Sequence, residues 1–372
     1  MSLKAIKSIP QSVFATMVLV VCSTHFGSEL VGQPSSHLYK VSGKENKVGF
    51  IDSSGKMVIA FDRLPAGTMV GSFSEGLAPI CFLGRNSNSC GYIDEKGKIV
   101  IPPRFSLAGD FSEGLAWIST EAFFGFINHA GKVVFEIEAM SMGFHDGLAA
   151  VSTKTGWGFI DRNGRFISAK RWVKAERFSE GLAAVAEGPG KNVKYGFIDE
   201  KGEVAIPLEF DPRLGPHFQP AYLGRFTEGL AAVRVGSLYG YIDYKGNVVI
   251  PPVFRDAGEF SEGLASVTTS DAQKGYIDKA GRLVIKLRSG SGDKFSEGLA
   301  VVAVYVDGRT KMGYIDHTGR TIIEPKFDMA YDFTNGLAEV YFVEKLSSAS
   351  EPVTQTVQGY IDRQGRFVWR NE

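Results

Sequence analysis

Nine times along this chain a glycine, an aromatic residue and an isoleucine precede an aspartate or asparagine, and a second glycine follows three residues later. The copies begin at Gly49, Gly91, Gly125, Gly158, Gly196, Gly240, Gly275, Gly313 and Gly359. A second phrase, Phe-Ser-Glu-Gly-Leu-Ala in its commonest form, alternates with the first, as at Phe111 to Ala116 and Phe260 to Ala265. A period of a few tens of residues marks an array whose units bury their apolar faces against one another. The 372 residues are therefore expected to form one repeat domain rather than two or three independent globules.

One unit can be read from Leu230 to Pro252: Leu-Ala-Ala-Val-Arg-Val, a short loop, Tyr-Gly-Tyr-Ile-Asp, Tyr-Lys-Gly, then Asn-Val-Val-Ile-Pro-Pro. This predicts three strands in a meander, with a fourth before the Phe-Ser-Glu-Gly phrase. Aspartate, two variable residues and glycine fit a type I turn closed by a bulge at positive φ, with the carboxylate accepting backbone N–H groups; Asn128 keeps that ability. The second phrase is expected to turn by similar logic around Gly76, Gly114, Gly147, Gly181, Gly229, Gly263, Gly298 and Gly336. Prolines such as Pro251 and Pro252, which cannot donate to a ladder, punctuate the step between units.

The spacing has a constant half and a variable half. From hairpin glycine to the next turn phenylalanine the offset is 20 in five of eight intervals, whereas from that phenylalanine to the next hairpin it varies. Insertions fall between the two strands of the hairpin, at Phe82 to Ser89, Glu187 to Lys194, Tyr305 to Lys311 and Glu344 to Gln358. Such loops emerge on one edge of an array, the natural place for recognition.

From about Leu38 to Trp369 the units resemble the WG, or KWG, β-repeat family of bacterial proteins, named for a Trp-Gly pair opening the hairpin. The Gly-Tyr/Phe-Ile-Asp-x-x-Gly and Glu-Gly-Leu-Ala phrases carry the resemblance, but Trp157-Gly158 alone keeps the naming pair. Val48, Cys90, Phe124, Tyr195, Tyr239, Lys274, Met312 and Gln358 stand in its place elsewhere. The resemblance implies architecture and no catalytic residues. The expected fold is all-β: a tandem array of about nine three- to four-stranded meander repeats, open and solenoid-like, burying tyrosine or phenylalanine on one face and isoleucine on the other. A β-propeller is the alternative.

Lysine plus arginine balances aspartate plus glutamate at 41 each, so no global field attracts nucleic acid. Residues 1–27, with Lys4, Lys7 and an apolar run from Val13 to Val21, read as a signal peptide, and 28–372 as the single repeat domain. Export to the periplasm or cell surface follows, with no transmembrane span once the leader is removed; a cytoplasmic start is the alternative, and lipidation at Cys22 lacks the usual small preceding residue. Cys81 and Cys90 flank one loop and are candidates for a disulfide across the hairpin; two unpaired, packed thiols are the other reading.

The repeated carboxylates share one environment and a single-carboxylate turn, so they read as turn caps rather than acid–base pairs or calcium ligands. His25, His37, His129, His145, His217 and His317 show no metal-ligand spacing, and no cofactor motif is present. The expected function is non-enzymatic binding or scaffolding toward an unidentified protein or glycan, with Tyr222, Tyr244 and Trp172 as candidate sugar-stacking rings. A structural envelope component without a ligand is one alternative; an enzyme whose site lies in the insert Asp211 to Arg225, with His217, is another.

Overall fold

The computed structural model describes residues 37–371, apart from 66, 85–87, 138–139, 190–191, 212–223, 307 and 347–352. Ser36–Glu372 forms one compact unit; the leader expected over residues 1–27 lies outside the described residues. Every sheet is antiparallel, and none closes on itself as a barrel. Nine meander units follow one another, each built around one copy of the glycine phrase; units 6 and 7 share a seven-stranded sheet because the strand Val248–Ala257 serves both.

The two turns of a unit use different chemistry. In unit 2, Asp94 Oδ1 accepts the backbone N–H groups of Lys96 at 3.0 Å and Lys98 at 2.9 Å, while Gly97 sits at φ 78°. All nine copies make this pair of bonds, Asn128 included, as the sequence predicts. The Phe-Ser-Glu-Gly turn differs from expectation. Its acid is itself left-handed, at φ 52° in Glu75 and 53° in Glu113, and glycine follows at positive φ. Ser74 and Leu77 exchange backbone bonds at 2.9 and 3.0 Å, so this is a two-residue, type I′ hairpin turn, whose twist matches that of its strands.

Successive units pack face to face. The aromatic residue of each hairpin meets the turn phenylalanine of the next unit at 4.9 to 5.0 Å between ring centroids, from Phe50–Phe73 through Tyr314–Phe333. The isoleucine beside it points the other way, as Ile93 does into the cluster of Phe50, Ile59 and Ala78. Where the aromatic is tyrosine, its hydroxyl donates to a carbonyl of the next unit: Tyr92 to Gly109 at 2.7 Å, Tyr276 to Asp293 at 2.6 Å and Tyr314 to Tyr331 at 2.8 Å. Aromatic burial thus recurs at each of these junctions, and a satisfied hydroxyl at those with tyrosine.

The two ends of the array meet through the same contacts. The ring of Tyr360 in unit 9 lies 5.3 Å from that of Tyr39 in unit 1, and its hydroxyl donates to the Lys40 carbonyl at 2.8 Å. Tyr39, Val41 and Ile51 share a buried cluster with Leu337 and Tyr360. Each aspartate-turn glycine packs on an apolar residue of the preceding unit, as Gly97 on Ile59, and Gly55 of unit 1 takes Val368 of unit 9. The first unit is therefore the neighbour of the last, the contact that the ring alternative requires.

Candidate interaction surface

Because the strands are antiparallel, both turn types lie at one end of each unit and the inserted hairpins at the other. The turn end is uniform. The carboxylate of each left-handed acid reaches the next unit and accepts the N–H of its turn glycine: Glu75 from Gly114, Glu113 from Gly147, Asp146 from Gly181, Glu180 from Gly229, Glu228 from Gly263, Glu262 from Gly298 and Glu297 from Gly336. The closest of these approaches lie between 2.9 and 3.1 Å. Left-handed backbone costs a residue with a Cβ about 1–2 kcal/mol, which a charge-assisted bond of about 1.5–3 kcal/mol offsets.

Serine hydroxyls of the same turn donate to the following unit's phenylalanine carbonyl at 2.7 to 2.8 Å, as Ser74 to Phe111 and Ser261 to Phe295. Thr227 departs from the row, its Oγ1 being buried without a hydrogen-bond partner. In four units the residue after the turn aspartate or asparagine, variable in sequence, reaches the carboxylate of the preceding unit's acid. His129 Nε2 meets Glu75 at 3.1 Å, Lys279 meets Glu228 at 3.2 Å, His317 meets Glu262 at 3.0 Å, and the Tyr244 hydroxyl donates to Glu180 at 2.8 Å. Sequence reasoning missed this row, whose only signal was the excess of histidine, lysine, arginine and tyrosine at that position. The carboxylates cap turns, but those of the neighbouring unit.

The opposite end is diverse. Two of the expected insertion loops are extensions of the strands themselves. Leu299–Val306 pairs with Arg309–Asp316 out to Val306 opposite Arg309, and Ala338–Leu346 pairs with Val353–Ile361 out to Leu346 opposite Val353. Tyr305 at one of these tips is 68 % exposed with Val306 exposed next to it, and Val343 is exposed on the other extended hairpin. At a third insertion Cys81 and Cys90 stand opposite one another across the hairpin, Cα to Cα 4.0 Å, and are joined by a disulfide.

The remaining candidates separate. Trp172 is buried, 2 % exposed beneath the Lys170 ammonium, which removes it as a sugar platform. Tyr244 is exposed on one side only, its ring stacked on Phe226 at 5.0 Å. Tyr222 and His217 lie outside the described residues, as does most of the 211–225 insert, of which Asp211 bonds to Lys194 at 2.6 Å and Arg225 to Glu259 at 2.8 Å. His37 packs its ring against Tyr39. His145 is held neutral, its pKa lowered to about 4 by burial and by the Arg177 guanidinium. Among the described residues, no group of three or more histidine, cysteine or acidic side chains is placed to hold a metal, and no helix is long and apolar enough to cross a membrane. A cleft of about 90 Å³ lies where Asp256 and Lys274 of one unit approach Ser291 and Gly292 of the next.

The WG containing repeat matches residues 49–84, 91–121, 157–188, 195–211, 239–270, 275–304 and 312–342, more than half of the chain. The chain belongs to the WG repeat family. Its unmatched hairpins, at Gly125 and Gly359, nevertheless have the same aspartate-type turn as the matched ones. No curated protein matches the sequence. Among solved structures, this WG repeat chain is similar to KlHsv2 with loop 6CD replaced by a Gly-Ser linker, at 12 % identity over 70 % of this chain and 95 % of that one, TM-score 0.34. It is also similar to a quinonprotein alcohol dehydrogenase-like protein of Bacteroides thetaiotaomicron, at 10 % identity over 77 % and 74 %, TM-score 0.36. TolB from Acinetobacter baumannii is similar at 12 % identity over 68 % and 77 %, TM-score 0.28.

Proposed function

We propose that this WG repeat protein is a non-enzymatic binding or scaffolding protein, exported to the periplasm or cell surface, that holds a protein or glycan at its hairpin end. The observation that carries this reading is the contrast between the ends of the units. At the turn end the acids are engaged with backbone amides, histidines, lysine or tyrosine of adjoining units. At the hairpin end the copies differ in length, and Tyr305, Val306 and Val343 present apolar surface to solvent. Exposed apolar groups on a rigid frame are what recognition uses. The export half of the proposal rests on the leader-like first residues and on Cys81 with Cys90, since disulfides persist in oxidising compartments.

The test is affinity capture from a cell-envelope extract, with residues 28–372 as bait beside a variant carrying Tyr305→Ser and Val343→Ser. A ligand retained by the first bait and lost by the second supports the reading. Equal capture by both, or none by either, counts against it and leaves a structural component without a ligand.

A further inference from the structure

Unit 4 has no regular fourth strand. Where the other outer strands run, the segment from Asp161 to Lys174 attaches to Gly156–Ile160 only through the bridges Ile160–Phe166 and Trp157–Trp172. This is also where charge balance breaks down. Between Lys154 and Lys174 there are six basic residues, Lys154, Arg162, Arg165, Lys170, Arg171 and Lys174, against one acid, Asp161, in a chain whose charges balance overall.

Several of these cations are left facing outward. Arg165 occupies the place of Arg282, Arg320 and Arg366, each of which pairs with its own turn aspartate. Arg165 forms no such ion pair, although its charge still acts on Asp161; Asn163 donates its side-chain amide to Asp161 at 3.4 Å, and Arg165 is exposed. The Arg171 guanidinium lies 3.7 Å over the Phe166 ring and donates only to the carbonyls of Ser168 and Lys170. Arg162 donates to the Glu113 carbonyl, and Lys154 is exposed. Lys170 and Lys174 are neutralised within the chain by Glu187 at 2.9 Å and Glu176 at 3.1 Å. Between the arginines, Phe166 is 43 % exposed and Val173 57 %.

We propose that this outer side of unit 4 docks an acidic segment of a partner protein, one whose carboxylates alternate with apolar side chains. Guanidinium forks match carboxylates geometrically, and Arg171 is already oriented by its stack on Phe166. The exposed Phe166 and Val173 call for apolar side chains between the charges, which a purely polar polyanion does not offer. The irregular outer segment offers no ladder edge, so recognition passes through side chains. This surface belongs to unit 4, whereas Tyr305 and Val343 belong to units 8 and 9, and either can fail without the other.

The probe is a labelled 16-residue peptide of glutamate and aspartate with leucine at every fourth position, titrated by fluorescence anisotropy at low and moderate salt. Binding is expected to weaken as salt rises and to fall about tenfold or more in Arg165→Glu, while Arg320→Glu, the equivalent residue of unit 8, stays within about twofold. Phe166→Ser should weaken the leucine peptide more than a leucine-free acidic one. Absence of binding, equal loss in Arg165→Glu and Arg320→Glu, or binding of polygalacturonate but not of peptide would overturn the proposal, the last in favour of an acidic glycan.

Discussion

The Tyr39 hydroxyl donates to the Asn335 carbonyl at 2.6 Å, across 296 residues of sequence. Tyr39 stands at the position occupied by alanine in the other eight units, from Ala78 to Ala338, each opposite the hairpin isoleucine. Unit 1 has no Phe-Ser-Glu-Gly turn among its described residues, so the phenylalanine that closes every other junction is missing there. The larger ring of Tyr39 takes up that space against Tyr360, and its hydroxyl satisfies the turn of unit 9. Gln358 completes the seam: its Oε1 accepts the Ser42 N–H at 2.8 Å and its Nε2 donates to the Lys40 carbonyl at 3.3 Å.

Tyr39→Ala removes a buried ring and two hydrogen bonds, and is expected to destabilise by about 3–5 kcal/mol, as other core aromatic truncations do. Tyr39→Phe keeps the ring and should cost only about 0.5–1.5 kcal/mol. Urea unfolding of the two variants checks the order; equal loss in both would place the stabilisation in the hydroxyl alone.

Glu228 is the clearest test of the carboxylate row, since it accepts from Gly263 at 3.0 Å and pairs with Lys279 at 3.2 Å. Glu228→Ala loses both and stays strained at positive φ, for an expected cost of about 1.5–3 kcal/mol. Glu228→Gly loses the same contacts but relieves the backbone, so it should be more stable than the alanine variant by about 1 kcal/mol. Thermal melts that rank alanine above glycine would refute the left-handed assignment.

Gly246 sits at φ 81°, and a Cβ there would come within 3.1 Å of Ile206 Cγ2 of the preceding unit. Gly246→Val combines left-handed strain with a crowded junction, and a loss of at least about 1–2 kcal/mol is expected. Unchanged thermal stability would contradict both the turn and the contact.

Two groups tie stability to pH with opposite signs. Burial, aided by Arg177, lowers His145 from 6.5 to about 4, so the unfolded chain binds the proton more readily. Its contribution is lost as pH falls from about 6.5 toward 4. Burial, aided by Asp293, raises Asp332 from 3.8 to about 6, so the folded chain binds the proton more readily and stability is lost as pH rises from about 4 through 6. In urea midpoints measured from pH 4 to 8, His145→Asn should flatten the acid-side loss, and Asp332→Asn should remove the decline toward neutral pH. Slopes identical to the unsubstituted protein in both variants would refute the two assignments.

The repeat period, the aspartate turns and the opposite facing of aromatic and isoleucine could all be read from the sequence, because each depends on residues a few positions apart. What could not be read depends on the neighbouring unit. Glu75 looks like an ordinary turn residue until Gly114 is seen beneath its carboxylate. His129 looks like a variable turn position until it is stacked on Phe111 and paired with Glu75. Gln358 seemed a lapse from the tryptophan of the family, yet it is 3 % exposed and satisfies the edge of the first strand at Ser42. At the interaction surface, the position of the insertions was legible. That Tyr305 would extend a paired hairpin, and that Trp172 would be buried, depended on strand register and packing.

The most direct test of the meeting of first and last units is a double-mutant cycle on Tyr39 and Tyr360, whose rings lie 5.3 Å apart in space and 321 residues apart in sequence. Unfolding free energies of Tyr39→Ala, Tyr360→Ala and the double variant should show a coupling of about 0.5–1.5 kcal/mol, that of an aromatic pair in contact. Additivity within about 0.3 kcal/mol would mean that the two ends of the array do not touch.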